Sequence, residues 1–179
     1  QAELINGEVF IMASPVFSAH AAAHAAIITW LGVYCATHTT FCLYDNVSLR
    51  LDEANEVQPD ALLHSCKEQQ SGQAAWTHSN SYLESIPHLI VEIAASSEPY
   101  DTHQKKNLYR RMGVAEYIIW QVQHQQISWY VLQAGAYRAI QPDERGIISS
   151  KTLPGLHLSV PDLLAGNMVR VLEVVQAGG

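Results

Sequence analysis

Apolar positions recur along this chain with two periods, one suited to helices and one to strands. Leu4-Ile5 and the apolar run 9–12 flank Asn6-Gly7. That dipeptide predicts a hairpin, because both central positions of a type I′ turn need positive φ. Ser14-Pro15 then opens a long helix over roughly residues 16–36, rich in Ala and without Gly until Gly32. Ala23, Ile27, Trp30, Leu31 and Tyr34 mark its buried side.

Strands are expected near 41–44 and 47–51, joined by Asp45-Asn46, and a third carries V-Q-P-D-A-L-L. A Gln-, Ser- and Gly-rich stretch, roughly 65–80, reads as a flexible loop. H-L-I-V-E-I-A-A follows, the most apolar strand and therefore the candidate for the sheet centre. Ser96-Ser97-Glu98-Pro99 supplies helix-start chemistry for about three turns of helix ending at Met112, stopped by Gly113. Beyond it, E-Y-I-I-W-Q-V, I-S-W-Y-V-L and Y-R-A-I read as strands, with Gly135 at the last turn. Ser159 and Asn167 cap two short terminal helices, the first over 161–165 and the second carrying Val171, Leu172 and Val175. The order predicts an α/β fold, a mixed sheet flanked by helices. Residues 1–179, with no repeat and no linker, are expected to form a single domain.

Composition refines this picture. With 48% hydrophobic and 15% charged residues the chain is globular in character. No uninterrupted apolar stretch reaches the roughly 18 residues of a membrane span, and the first twelve residues lack a signal peptide's basic and apolar blocks. A cytoplasmic protein with no membrane partner is expected. Cys35, Cys42 and Cys66 have no C-x-x-C spacing and read as free, core-filling thiols in a reducing compartment.

The net charge of −7 argues against a polyanionic partner, but its distribution softens the argument. Lys105, Lys106, Arg110 and Arg111 fall within one short stretch, and Asp52, Glu53, Glu56 and Asp60 within another. A metal site needs carboxylates brought together, and a bound phosphate wants cations nearby.

Glu92 is the most informative residue, because it interrupts an otherwise apolar strand. A buried unpaired carboxylate costs several kcal/mol or becomes neutral. An outward-facing Glu92 is the bland alternative, but Ile90 and Ala94 would then share its exposure. Asp60 after Pro59 would pass alone for a turn residue; beside Glu92 it suggests either a hard-cation site or an acid/base pair. Asp101 and Lys105, spaced i, i+4 with Tyr109 one turn on, could be a surface ion pair or part of a site. The short connection from strand to helix could carry Lys105 over the strand end that bears Glu92. His20 and His24 have a zinc-compatible spacing, but the glutamate of H-E-x-x-H is absent, so a zinc hydrolase finds little support.

Taken in order, E-L-I-N-G-E, M-A-S-P with a histidine five residues on, Q-P-D, I-V-E-I and Y-D-x-x-x-K-x-x-x-Y-R-R-x-G-V-x-E-Y resemble the Uma-type restriction endonuclease family of the PD-(D/E)XK nuclease superfamily. The similarity runs from Glu3 to about Leu164. It implies a restriction-endonuclease-like core and a Mg²⁺- or Mn²⁺-dependent phosphodiesterase acting on nucleic acid, with DNA the expected substrate. On this resemblance Asp60 and Glu92 are the metal ligands, and Lys105 replaces the lysine usual at position 94, where Ala94 stands. Asp101, His20 and Glu3 match other family positions, and Tyr109 joins them in support. A catalytically silent nuclease-like binding or assembly module is the alternative. A homodimer is expected from the apolar content of the last helix and from Trp129 and Tyr130, which face opposite sides of the sheet.

Overall fold

The computed structural model describes residues 2–11, 18–66, 82–94 and 100–178, with backbone only at 100–102. Strands β1 (Ala2–Ile5) and β2 (Glu8–Ile11) form the opening hairpin. Its turn residues have φ of 54° at Asn6 and 78° at Gly7, as a type I′ turn requires. Helix α1 (Ser18–Thr37) follows, and the five residues expected on its inner side are those buried. By length and composition α1 could also cross a membrane. The sequence reading missed this because His20, His24 and Thr29 break up the apolar run. Here its inner side packs on the sheet as a core helix does.

Strands β3 (Phe41–Asp45) and β4 (Leu49–Asp52) enter different sheets. The expected single strand through V-Q-P-D-A-L-L is two, β5 (Asn55–Val57) and β6 (Ala61–Ser65). Pro59 has no N–H for a ladder, so the strand breaks there. The expected loop over 65–80 falls almost wholly outside the described residues, as does Ser96-Ser97-Glu98-Pro99.

Strand β7 (Leu89–Ala94) is buried along its whole length and lies at the sheet centre, as expected. A π-helical turn (Tyr100–Lys105) leads into α2 (Lys106–Met112), which ends on Gly113 in the left-handed region at φ 85°. Strands β8 (Glu116–Gln121), β9 (Gln126–Gln133) and β10 (Ala136–Ala139) match the last three expected strands. A small hairpin not foreseen from sequence, β11 (Ile147–Ser149) with β12 (His157–Ser159), precedes α3 (Val160–Leu164) and α4 (Met168–Gln176).

The main sheet has the order β10-β9-β8-β7-β6-β3 and is antiparallel except for β7 with β8, hence mixed. On one face α1, α3 and α4 cover Ala61, Leu63, Leu89, Val91, Ile93 and Ile118. On the other, α2 and the smaller sheet β2-β1-β5-β4 cover Leu62, Ile90, Ala94, Tyr117 and Ile119. Trp129 belongs to the first core and Tyr130 packs against the second, so the two do face opposite sides. Burial on both faces explains why β7 shows no hydrophobic alternation.

Glu116 opens β8 wholly buried, accepting the Trp129 indole N–H at 2.6 Å and the Lys151 and Thr152 amides at 2.7 and 2.8 Å. It ties the 150–152 turn to the sheet. Cys42 and Cys66 form a disulfide from β3 to the end of β6, correcting the expectation of free thiols; Cys35 remains free. Strand pairing across β3–β6 brings the two sulfurs together, which spacing along the sequence could not show. The cysteines therefore no longer argue for a reducing compartment.

Candidate active site

The register of β6 on β7 pairs Ala61 with Val91 and Leu62 with Ile90, which puts Glu92 just past the last paired residue. Side chains alternate along a strand, so Glu92 shares the face of Ile90 and Ala94, the one covered by α2. The π turn and α2 present Lys105 and Tyr109 to it. Lys105 Nζ lies 2.9 Å from Glu92 Oε1, and the Tyr109 hydroxyl donates to the same oxygen at 2.6 Å. From the opposite side β1 brings Glu3, whose Oε1 stands 3.0 Å from Lys105 Nζ and accepts the Gln58 amide at 2.8 Å. Glu3, Glu92 and Lys105 are each at most 3% exposed.

Asp60 occupies the short link between β5 and β6, one position before the ladder starts. Its Oδ2 accepts the Ile93 amide at 2.7 Å, doing for β7 what a strand carbonyl would do. Its Oδ1 lies 3.1 Å from His20 Nε2 on α1. His24, one turn further along α1, lies 3.0 Å from Asp45 Oδ1 and 3.1 Å from the Asp60 carbonyl oxygen. Asp60 thus holds the backbone beside Glu92, while Gln58, two residues earlier, holds Glu3. The segment 58–60 joins the two halves of the site.

Burying three carboxylates and one ammonium leaves two formal negative charges in excess. Each buried charge costs several kcal/mol of lost hydration unless it is paired and hydrogen-bonded. Lys105 offsets part of that cost by serving Glu3 and Glu92 together. Burial first, then the charges of Glu92 and Glu3, pushes the Tyr109 hydroxyl well above its usual range. Tyr109 therefore stays protonated and remains a donor.

The comparisons with known proteins bear on this arrangement. The family described as "Uma2: Putative restriction endonuclease" matches residues 1–161. The chain belongs to the Uma2 family. No curated protein matches it. The fold is shared with a DUF820 protein from Anabaena variabilis, described as a "putative nuclease", at a TM-score of 0.73 and 14% identity. That match covers 92% of this chain and 89% of the other. The type IIG restriction endonuclease BpuSI gives a TM-score of 0.45 at 13% identity, over 94% of this chain and 18% of its own.

Of the Uma2 chain's expected site residues, Glu3, Glu92, Lys105 and Tyr109 meet in one buried cluster, with Asp60 and His20 alongside. The Asp101 side chain lies outside the described residues. Gln58, inside the Q-P-D motif, acts through its backbone amide, which no side-chain pattern signals. His20 and His24, whose spacing is zinc-compatible, approach the carboxylates of different aspartates, with their rings stacked at 6.2 Å.

For a metal ion the chemistry of the donors is decisive. Carboxylate oxygens suit a hard divalent cation such as Mg²⁺ or Mn²⁺ rather than a thiolate-seeking one. Among the described residues no three His, Cys, Asp or Glu side chains form a ready metal cage. The residues fit an ion that takes one or two carboxylates and fills its remaining positions with water and phosphate, as Mg²⁺ commonly does.

Proposed function

We propose that this Uma2 protein is a divalent-metal-dependent endonuclease that hydrolyses DNA phosphodiester bonds. The supporting observation is the buried Lys105 held between Glu3 and Glu92, with Asp60 anchored on the amide of Ile93, the residue after Glu92. Asp60 and Glu92 would hold Mg²⁺ or Mn²⁺, which when bound supplies Lewis-acid stabilisation of charge at the phosphate. The two negative charges in excess match one dication. Lys105 supplies a fixed positive charge where the phosphate oxygens gain charge in the transition state. Glu3 and Tyr109 fix Lys105 and Glu92 in place, and His20 orients Asp60.

Incubation of purified protein with supercoiled and linear DNA, with Mg²⁺ or Mn²⁺ and then with chelator, tests this reading. Metal-dependent cleavage lost in Asp60→Asn and Glu92→Gln is expected. Absence of cleavage on every substrate, or cleavage surviving Asp60→Asn, would overturn it.

A catalytically silent binding module is the second reading, favoured by Ala94 where the superfamily carries its lysine. It predicts no carboxylate-dependent Mg²⁺ or Mn²⁺ binding by calorimetry. We also propose a homodimer. Its support is β2, an edge strand with Val9 and Ile11 exposed, the kind of surface a second chain covers. A monomer mass by light scattering would remove it.

A further inference from the structure

Lys105 turns inward, but its neighbours on α2 do not. Lys106 lies with its ammonium 3.5 Å from the centre of the Tyr130 ring, and Arg110, one turn on, donates to the Gly135 carbonyl at 3.0 Å. Arg111 turns to the other side of α2 and donates to Asn6 Oδ1 at 2.6 Å. An aromatic face, a carbonyl and an amide oxygen orient these cations without neutralising them. Among the described residues none of the three is paired with a carboxylate, although the chain carries 17 acidic residues against 10 basic ones. Like charges at i, i+4 on a helix repel by roughly 0.2–0.5 kcal/mol. Lys106 and Arg110 accept that repulsion with no carboxylate among the described residues paired to either.

We infer that Lys106 and Arg110 form a phosphate-tracking face that seats a DNA backbone over α2, flanking the bond presented to Lys105. The inference rests on the nuclease reading for the identity of its polyanion, and on the unneutralised cations for its position. Tyr130 is covered by Lys106 and the Tyr137 ring packs against Tyr117 and Tyr130, so neither ring is offered to bases. The contact is therefore to phosphate and reads no sequence.

Fluorescence anisotropy of a short labelled duplex, with chelator present and salt varied, separates this from catalysis. Wild type should bind with a steep salt dependence. The double variant Lys106→Gln/Arg110→Gln should bind about tenfold more weakly at low salt, with a log–log slope shallower by about one per residue removed. Lys106→Arg should restore most of the loss at that position, and Arg138→Gln, on the exposed β10 strand, should change little. Absence of wild-type binding at low salt overturns the inference, as does a double variant that matches wild type or an equal loss in Arg138→Gln. A protein that binds through these cations but cleaves nothing keeps this inference and overturns the nuclease reading. One that cleaves while the double variant binds normally does the reverse.

Discussion

Lys105 Nζ sits 2.9 Å from Glu92 Oε1, with both residues almost wholly withdrawn from water. Removing one partner of a buried ion pair strands the other charge, at a cost of about 3–5 kcal/mol. Lys105→Met should lower stability by that order in urea unfolding, since Glu3 and Glu92 both lose their cation. Adding Glu92→Gln to Lys105→Met should recover part of the loss. On the nuclease reading, cleavage by the single variant should fall about 10²–10³-fold, as for other fixed charge stabilisers. A Lys105→Met protein as stable as wild type would show that the pair is not buried as described.

Tyr109 contributes a different element, orientation. Its hydroxyl is held protonated and donates to the oxygen that Lys105 also contacts. Tyr109→Phe keeps the ring packed and removes one hydrogen bond to a charged acceptor, worth about 1.5–3 kcal/mol. The turnover rate should fall while DNA binding in chelator stays constant. Equal loss of binding would instead place Tyr109 at the DNA surface.

The sequence revealed strand β7, the inner side of α1 and the convergence of Lys105 on Glu92, because each depends on short-range periodicity or a short connection. It did not reveal that Pro59 splits the strand before Asp60, or that Glu3 crosses to Lys105. Both follow from how the small sheet folds back over the main one. Glu3 is buried by partners distant in sequence, Lys105 and the Gln58 amide, which can only be seen once the strands are paired. The Cys42–Cys66 bridge belongs to the same class of long-range fact, as does the role of Glu116 under the 150–152 turn.

That bridge makes its own prediction. It closes a loop spanning 24 positions, which by the loop-entropy relation stabilises the folded state by about 3.5 kcal/mol. Unfolding in urea with and without a reducing agent should show a loss of that order, and Cys42→Ser should match the reduced wild type. An unchanged midpoint on reduction would mean that the thiols are not joined in the folded protein.

The alkaline limb of stability can be assigned as well. Burial first, then the charges of Cys35 and Glu116, raises Tyr34 from 10.0 to about 12, and burial raises Cys35 from 9.0 to about 11. The folded chain therefore keeps protons that the unfolded chain releases at lower pH, so the unfolded state binds fewer protons through this range. Stability must then fall as pH rises. The contribution is complete below the unfolded Cys35 value of 9.0 and is lost progressively as pH climbs toward about 12, where the buried Tyr34 hydroxyl that donates to the Pro154 carbonyl ionises. Urea midpoints measured from about pH 8 to 11 should decline across that window. Cys35→Ala should remove the first part of the decline and Tyr34→Phe a share of the later part, the rest being carried by Tyr109 and Tyr137, which burial also raises. A flat profile, or a decline unaltered by both substitutions, would show that neither group carries the effect.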